Sequence, residues 1–384
     1  MRAPGPPLAG PSVFAETTRL AEALGAVNLG QGFPDTGPAP LLLAALGQVQ
    51  SGPVHQYSPP QGLASLREAV SRLLAPALGY EPDPASEVTI MAGATEALHA
   101  AARVLLRPGD RVVVLEPAYD LYASLVEQAG AEVVGVPLRP GPAGWRLDRD
   151  ALKQAFEQPV ALVVINTPHN PTGTVLTEDE LELVAQLVVA SDTTALTDEV
   201  YDQLAYDRPH RSLAAWPGMR ERTVTVGAAS KTFSATGWRI GWAVAPAALT
   251  AALRASHQVT TFAAPTPLQA AVALALESPE LPHYFAQLRQ TFRQRRDQLS
   301  AALNHAGLPV WPAEGSYFVL ADTQSLARSA PESAERLLRE VGVAGIPLSA
   351  FFLPGATAPN VVRLAFCKSP EVIDEAARRL RRLG

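Results

Sequence analysis

The stretch GAASKTFSATGWRIGW, residues 227–242, contains only two charged residues, Lys231 and Arg239, among small and hydroxylic ones. A β-branched run precedes it, and residues 240–245 predict a further strand. A lysine amine whose pKa is lowered by burial forms Schiff bases, and a guanidinium can bind a phosphate through two parallel hydrogen bonds. A surface lysine is the alternative interpretation, but the near absence of other charges in the stretch weighs against it. The stretch therefore predicts a buried amine beside an anion site.

Short apolar strands alternate with helical patterns through the middle of the chain. The predicted strands cover residues 88–93, 111–117, 161–167, 195–200, 223–228 and 240–245. Thr177 and Glu180 predict a capping box at the start of the helix that follows the third strand. Helices that alternate with apolar strands indicate an α/β fold with a mostly parallel sheet covered on both faces.

The last hundred residues differ in pattern, since a long basic amphipathic helix is followed by short strands and a final helix. We interpret them as a smaller α+β domain onto which the proline-rich and glycine-rich N-terminus wraps. The predicted domains are therefore a large one, residues 41–280, and a small one made of residues 1–40 and 281–384.

Composition limits the classes of function. The chain has 384 residues, of which 47% are hydrophobic and 18% charged, and this is typical of a folded globular protein. A net charge of −6 gives no reason to expect a nucleic-acid partner. A single cysteine, Cys367, excludes a disulfide framework and favours a reducing compartment. The N-terminus lacks the apolar core of a signal peptide, and no run is long enough to span a membrane, so we expect a cytoplasmic protein.

Polar residues follow several predicted strands. Gly93-Ala94-Thr95 lies where a strand gives way to a helix, whose N-terminus favours an anion, although an ordinary tight turn would have the same composition. The loop NTPHNPTG contains Asn170, which can both donate and accept, and His169, which is either a ligand or base or an ordinary loop histidine.

Two further charged residues stand in apolar surroundings. Asp198 ends a strand, and burying its carboxylate is costly unless a metal ion or a protonated heterocyclic nitrogen meets it; a helix N-cap is the alternative. Tyr201 follows within reach of the same group. Arg363 in NVVRLAFCK would suit a carboxylate ligand, or else form a structural ion pair. The G-x-G of LGQGFPD has no third glycine, which argues against a dinucleotide fingerprint.

These motifs together resemble a known family. LGQGFPD, QYSPPQGLASLREAV, AGATEAL, EPAYDLY, NTPHNPTG, TDEVYDQL, SKTFSATGWRIGW and VRLAFCK resemble, in this order, the motifs of class I/II aminotransferases, which are pyridoxal 5'-phosphate enzymes of fold type I. The resemblance runs from about residue 14 to the end. NLGQGFPD and KTFSATGW resemble the branch of kynurenine aminotransferase, glutamine transaminase K and methionine aminotransferase. The VFAE and AGIPLSAF stretches are similar to bacterial succinyl-diaminopimelate aminotransferases.

The resemblance implies a role for each candidate residue. Lys231 would carry the cofactor as a Schiff base and move the proton, with Asp198 on the pyridine nitrogen and Tyr201 on the phenolic oxygen as the other catalytic residues. The implied cofactor-binding residues are Gly93, Ala94, Thr95, Tyr119, Asn170, Asp198, Tyr201, Ser230, Lys231 and Arg239, with Tyr57 reaching the partner subunit's phosphate. The implied substrate-binding residues are Gly32, Asn170, Arg363, Phe14 and Phe262, the last lining the partner's pocket. No metal is implied.

The sequence departs from the family at three places. Ala228 stands where a phosphate-binding serine is usual, and Ser230 would point elsewhere if the segment were extended. Ala263 stands where the branch often has histidine, and Phe14 where it can have tryptophan.

The implied function is transfer of the amino group of a neutral L-amino acid (aromatic, methionine-like or glutamine-like) to a 2-oxo acid by a homodimer with shared active sites. N-succinyldiaminopimelate aminotransferase, which would need a cation for a distal carboxylate, and cysteine-S-conjugate β-lyase are the alternatives. A non-enzymatic ligand-sensing module is disfavoured because Lys231 and Asp198 are both present.

Overall fold

The computed structural model describes residues 12–383. Its helices are α1 (Val13–Ala23), α2 (Pro40–Val49), α3 (Ala64–Leu78), α4 (Ala94–Leu105), α5 (Asp120–Gln128), α6 (Arg149–Ala155), α7 (Glu178–Ala190), α8 (Ala229–Thr232), α9 (Ala247–Thr260), α10 (Thr266–Leu276), α11 (Leu281–His305), α12 (Ala330–Arg336) and α13 (Pro370–Leu380). Its strands are β1 (Val27–Asn28), β2 (Val88–Met91), β3 (Arg111–Glu116), β4 (Glu132–Gly141), β5 (Gly144–Leu147), β6 (Leu162–Asn166), β7 (Thr194–Asp198), β8 (Thr223–Ala228), β9 (Gly241–Val244), β10 (Phe318–Asp322), β11 (Val343–Ala344), β12 (Ile346–Pro347) and β13 (Val361–Ala365).

The main sheet has eight strands in the order β2-β9-β8-β7-β6-β3-β4-β5. Strands β8, β7, β6, β3 and β4 run parallel to their neighbours in this series, whereas β9 and β5 pair antiparallel. Every residue of β6 and β8 is buried, because helices cover both faces of the sheet. The predicted α/β fold with a mostly parallel sheet is confirmed. All six predicted strands are present: β8 has the predicted bounds, β7 begins one residue earlier and ends two residues earlier, and the other four are one or two residues shorter. The β4–β5 hairpin is an addition that the alternation did not indicate.

The capping box predicted at the start of α7 is present. Thr177 Oγ1 accepts from the Glu180 backbone N–H at 3.2 Å, and a Glu180 carboxylate oxygen accepts from the Thr177 N–H at 2.7 Å. The other carboxylate oxygen of Glu180 accepts from the Leu147 N–H at 2.8 Å, which ties α7 to β5. Two otherwise unpaired N–H groups near the helix start are satisfied in this way.

A smaller antiparallel sheet, in the order β10-β13-β12, is built by the last hundred residues. Arg363 occupies the middle strand, opposite Leu320 and Ile346. Strand β1 pairs in parallel with β11, so residues 27–28 are attached to this part of the chain. The core around α11 and α13 also includes Tyr201 and Leu204 of the large sheet's loops. The interior thus continues from one sheet to the other, and polar residues gather where they meet. Among residues 12–383, no helix is both long enough and apolar enough to cross a bilayer.

Candidate active site

A cavity of about 280 Å³ opens where the carboxyl ends of the parallel strands face the smaller sheet. Its lining consists of Phe14, Gln31, Gly32, Ala94, Thr95, Leu98, Tyr119, Tyr122, Asn166, Asn170, Asp198, Val200, Tyr201, Ser230, Lys231, Thr236, Arg239, Phe318 and Arg363. Most of the residues singled out from the sequence therefore meet in one place, although they come from distant parts of the chain. The structure also adds residues that the sequence reasoning did not name.

Lys231 lies on the short helical turn α8, just after β8. Its Nζ is 3.4 Å from the Gly32 carbonyl oxygen, with the Tyr201 and Tyr317 rings at 5.9 Å and 5.6 Å. Burial lowers the pKa of Lys231 to about 8, and the positive charges of Arg239 and Arg363 act in the same direction. A substantial fraction of the amine is therefore neutral near pH 8, as a nucleophile or proton acceptor requires.

Asp198 ends β7 at the floor of the cavity. Its carboxylate accepts from the Tyr122 hydroxyl at 2.7 Å and from the Val200 N–H at 3.3 Å. Burial raises the pKa of Asp198 to about 6, although these hydrogen bonds oppose the rise. Such a carboxylate favours a cationic ligand. A metal is one such cation, but residues 12–383 contain no group of three or more His, Cys, Asp or Glu side chains placed to hold one.

The start of α4 and Arg239 form a cradle for an anion. The first N–H groups of a helix lack intrahelical partners and point along the axis, here towards the cavity lined by Ala94 and Thr95. Gly93 has φ 86°, and a Cβ there would collide with the Arg239 guanidinium. A Cβ on Gly241 would lie 2.5 Å from the carbonyl carbon of Gly93. Glycine at both positions lets the strand, the helix start and the guanidinium approach one another.

Ser230 belongs to the same cavity, whereas Ala228 does not line it. The sequence suggested that Ser230 would point away from the site if its segment were extended. Residues 229–232 instead form a helical turn, so that expectation does not apply. Ala228 is 2% exposed at the end of β8 and packs in the core. Position 228 therefore offers no hydroxyl to the cavity, whereas Ser230 lines it.

Arg363 is buried in an aromatic enclosure at the opposite end of the cavity. Its guanidinium donates to Asn170 Oδ1 at 2.8 Å and to the Gly30 carbonyl at 2.7 Å. The rings of Phe318 and Phe351 lie 4.1 Å and 4.7 Å from its central carbon. Within residues 12–383 no carboxylate pairs with it, which excludes the structural ion pair there. Burial lowers the pKa of Arg363 to about 10, yet the group remains a cation at neutral pH and is open to an anionic ligand.

Besides Gly93, which stands at the N-cap of α4, three candidate residues lie outside the cavity lining. Tyr57 and Phe262 are 85% and 41% exposed, and their rings contact each other edge to face at 5.2 Å. His169 is buried, with Nδ1 2.8 Å from Thr172 Oγ1, and burial lowers its pKa to about 3. His169 therefore supports the loop and does not face a ligand.

The residues that sequence reasoning missed act mostly by holding the others. Tyr122 binds Asp198 and lies three residues after Tyr119, so the repeated tyrosine of EPAYDLY was a usable signal. Asn166 Oδ1 accepts from the Asn170 N–H at 2.8 Å. Tyr317 donates to the Gly32 carbonyl at 2.6 Å, but its position in an apolar stretch gave no indication of this.

Comparison with known proteins identifies the family. The family model "Aminotransferase class I and II" matches residues 25–380. A probable N-succinyldiaminopimelate aminotransferase of Mycobacterium tuberculosis is 44% identical over 379 residues, covering 96% of this chain and 95% of that protein. The methionine aminotransferase of Escherichia coli is 38% identical, with 98% of this chain and 97% of that protein covered.

Solved structures agree with these matches. The N-succinyldiaminopimelate aminotransferase structure from Mycobacterium tuberculosis superposes with a TM-score of 0.93 at 44% identity, covering 97% of each chain. The Escherichia coli YbdL structure, described as having a methionine aminotransferase function, has a TM-score of 0.94 at 36% identity and covers both chains fully. The resemblance drawn from the motifs, the fold type and the aminotransferase assignment are thereby confirmed. The chain belongs to the class I and II aminotransferases.

Proposed function

We propose that the protein transfers the amino group of a neutral L-amino acid, with an aromatic, methionine-like or glutamine-like side chain, to a 2-oxo acid. The observation that carries this proposal is the count of cations in the cavity lining, which are Lys231, Arg239 and Arg363. Each of the three has a task below, so the described lining offers no fourth cation for a second carboxylate. The aromatic rings of Phe14 and Phe318 near Arg363 favour an apolar or neutral side chain.

Pyridoxal phosphate is the cofactor of this family, and the residues present fit it. The buried carboxylate of Asp198 suits a protonated ring nitrogen, and the start of α4 with Arg239 suits the phosphate; Lys231 lines the same cavity. When bound, the cofactor supplies an aldehyde that condenses with amines and a ring that accepts the electron pair left when the substrate Cα–H bond breaks.

Lys231 serves as the proton carrier in this scheme. Its lowered pKa leaves a neutral amine that would accept the proton released from the substrate Cα and would give it back to the acceptor carbon when the cofactor is bound. Asp198 stabilises positive charge on the ring nitrogen through charge pairing, and the Tyr122 hydroxyl fixes the orientation of that carboxylate. Tyr201, whose pKa burial raises, stays protonated and would donate to the ring oxygen of a bound cofactor.

Arg363 binds the substrate α-carboxylate with the help of Asn170. The guanidinium already donates to Asn170 Oδ1, which leaves the amide N–H₂ of Asn170 free to donate to the substrate or to the cofactor's ring oxygen. Gly32 presents its carbonyl to Lys231 and would border the substrate, and Tyr119, which lines the cavity, would cover the ring face of the cofactor. Gly93, Thr95 and Ser230 complete the phosphate cradle.

We further propose a homodimer with shared sites. Tyr57 and Phe262 form an exposed aromatic pair outside the chain's own cavity, which supports a role in the partner's site: Tyr57 at the phosphate and Phe262 at the substrate. Their loops are tied together, since Gln269 Nε2 donates to Ser58 Oγ at 2.9 Å and to the Ala264 carbonyl at 2.8 Å. Sedimentation equilibrium tests this, and a monomer at assay concentration would contradict it.

We also propose two domains, a large one of residues 41–280 and a small one of residues 1–40 and 281–384. The proposed location is the cytoplasm. Cys367 is a buried free thiol, which suits a reducing compartment. Small-angle scattering with and without a substrate analogue tests whether the two lobes move against each other.

A donor panel tests the substrate proposal. L-methionine, L-phenylalanine, L-glutamine and N-succinyl-L,L-diaminopimelate are compared as kcat/KM with phenylpyruvate, 2-oxoglutarate and the keto analogue of methionine as acceptors. We expect at least one neutral donor to exceed the succinylated one by about tenfold or more. The succinylated donor is the second candidate because of the Mycobacterium tuberculosis relative, and its preference would overturn the first proposal.

A further inference from the structure

Glu96 lies in the first turn of α4, directly behind the phosphate cradle. One carboxylate oxygen accepts from the Ala92 N–H at 2.5 Å, which fixes the backbone immediately before Gly93. The other is 2.5 Å from Nδ1 of His257, in the last turn of α9. The two side chains are 8% and 0% exposed, so solvent does not compete for this contact.

His257 in turn holds the segment that carries the exposed aromatic pair. Its carbonyl accepts from the Thr261 N–H at 3.0 Å and from the Phe262 N–H at 3.1 Å. Phe262 has φ 71°, a conformation that a non-glycine residue keeps only when its surroundings impose it. The Phe262 ring then packs on Tyr57. One continuous series of contacts within a single chain thus joins the cradle to the pair.

The negative charge of Glu96 explains why the contact with His257 matters for an anion site. A carboxylate in the first turn of a phosphate-binding helix repels the phosphate unless other groups share its charge. Burial raises the pKa of Glu96, but hydrogen bonds from His257, Thr261 and Ala92 outweigh burial and hold the pKa below its usual value. The carboxylate is therefore ionised, and its oxygens accept hydrogen bonds from groups that do not line the cavity.

We propose that Glu96 and His257 are positioning residues that couple the phosphate cradle to the Tyr57–Phe262 pair. Cofactor binding in one subunit then orders the aromatic pair that this subunit offers to its partner. The inference rests on the proposed function, which places a phosphate at the cradle and the pair at the partner's site. Neither side chain lines the cavity: Glu96 acts through the backbone just before Gly93, and His257 acts through the backbone of Thr261 and Phe262.

The first test needs no mutation. Hydrogen exchange of the wild-type protein is measured with and without pyridoxal phosphate, and we expect the cofactor to slow exchange of the amides of Thr261 and Phe262. The second test titrates the apoproteins with pyridoxal phosphate and follows its absorbance. Because hydrogen bonds to charged groups contribute strongly, we expect Glu96→Gln to raise the dissociation constant about tenfold and to abolish the protection at 261–262.

Matched variants separate coupling from loss of stability. Glu180 occupies the same third position in α7 and is similarly buried. Both of its carboxylate oxygens are also bonded, here to two backbone N–H groups, but α7 does not line the cavity. Glu180→Gln should lower the melting temperature and leave the dissociation constant and the protection unchanged. His257→Leu should behave as Glu96→Gln, whereas His257→Asn keeps a donor near the Nδ1 position and should recover most of the affinity.

Three results would overturn the inference. The first is hydrogen exchange at 261–262 that is the same with and without the cofactor in the wild-type protein. The others are a Glu96→Gln protein that binds the cofactor as tightly as wild type, and a Glu180→Gln protein that loses as much cofactor affinity as Glu96→Gln. If Glu96→Gln does not fold, the wild-type exchange and the two His257 variants decide alone. None of these readouts depends on the amino acid that the enzyme accepts. A failed donor panel would therefore refute the proposed substrate class without touching this coupling.

Discussion

Replacing Asp198 by asparagine should stabilise the apoprotein while it damages the enzyme. In the folded chain the carboxylate is 4% exposed, and its partners are neutral donors, the Tyr122 hydroxyl and the Val200 N–H. An ionised carboxylate in such a place raises the free energy of the folded state. Asparagine keeps an oxygen for Tyr122, carries no charge and has almost the same shape. Active sites often hold such unfavourable groups at the expense of stability.

The magnitude follows from the pKa of Asp198, which burial raises from 3.8 to about 6. A shift of this size corresponds to about 3 kcal/mol of destabilisation above the folded-state pKa. Losing the long bond to Val200 costs about 1 kcal/mol in the variant, so we expect a net gain of about 2 kcal/mol at pH 7.5. Since the folded pKa is raised, the penalty is complete above about pH 6 and disappears as the pH falls towards 3.8.

Urea unfolding of both apoproteins at pH 7.5 and at successively lower pH values measures this difference. Asp150→Asn is the control: the Asp150 side chain is 96% exposed and loses only a surface ion pair with Lys153, so the change in unfolding free energy should stay below about 1 kcal/mol. With pyridoxal phosphate present the order should reverse, since the variant cannot pair with the protonated ring nitrogen. A variant that is less stable than wild type as apoprotein at pH 7.5, or a gain that does not shrink with falling pH, would show that burial does not set the charge state of Asp198.

Other expectations concern single residues. Lys231→Ala should abolish transamination yet still bind pyridoxal phosphate without a covalent bond, as equilibrium dialysis would show; surviving activity would remove Lys231 from catalysis. Arg363→Ala should raise KM for amino acids roughly tenfold to a hundredfold, because a hydrogen-bonded charge contributes about 1.5–3 kcal/mol, and an unchanged KM would refute the carboxylate contact. Ala228→Ser should hold or tighten cofactor affinity in the same dialysis experiment; weaker binding would indicate that the site relies on Ser230 alone.

The sequence predicted the fold well because its signals were local. Apolar runs such as those of β6 and β8 are buried throughout, and the Thr177–Glu180 capping box needs only four neighbouring residues. The hairpin of β4 and β5 was missed because residues 132–147 mix glycine, proline and arginine with the apolar positions. Strand bounds shifted by one or two residues where polar site residues continue an apolar run.

The candidate site could be assembled from the sequence only through the order of the motifs. Each strand end showed a polar residue, but nothing local said that Arg363 would lie against Asn170, 193 positions away. Supporting residues such as Tyr317 and Asn166 remained invisible, since their contacts arise when the two sheets meet. The pairing of Glu96 with His257 is of the same kind: neither residue is unusual in its own helix.

The net charge of the cavity lining is positive, whereas the net charge of the whole chain is negative. Three cations and one carboxylate line the cavity, while the chain as a whole carries a formal net charge of −6. At long range an oxyanion is therefore repelled, and within the cavity it is attracted. Salt screens interactions between exposed charges beyond about 10 Å, but it screens interactions of buried charges much less. Moderate ionic strength should thus favour capture of anions, and phosphate or sulfate buffers will compete for the apoprotein with the cofactor it is meant to receive.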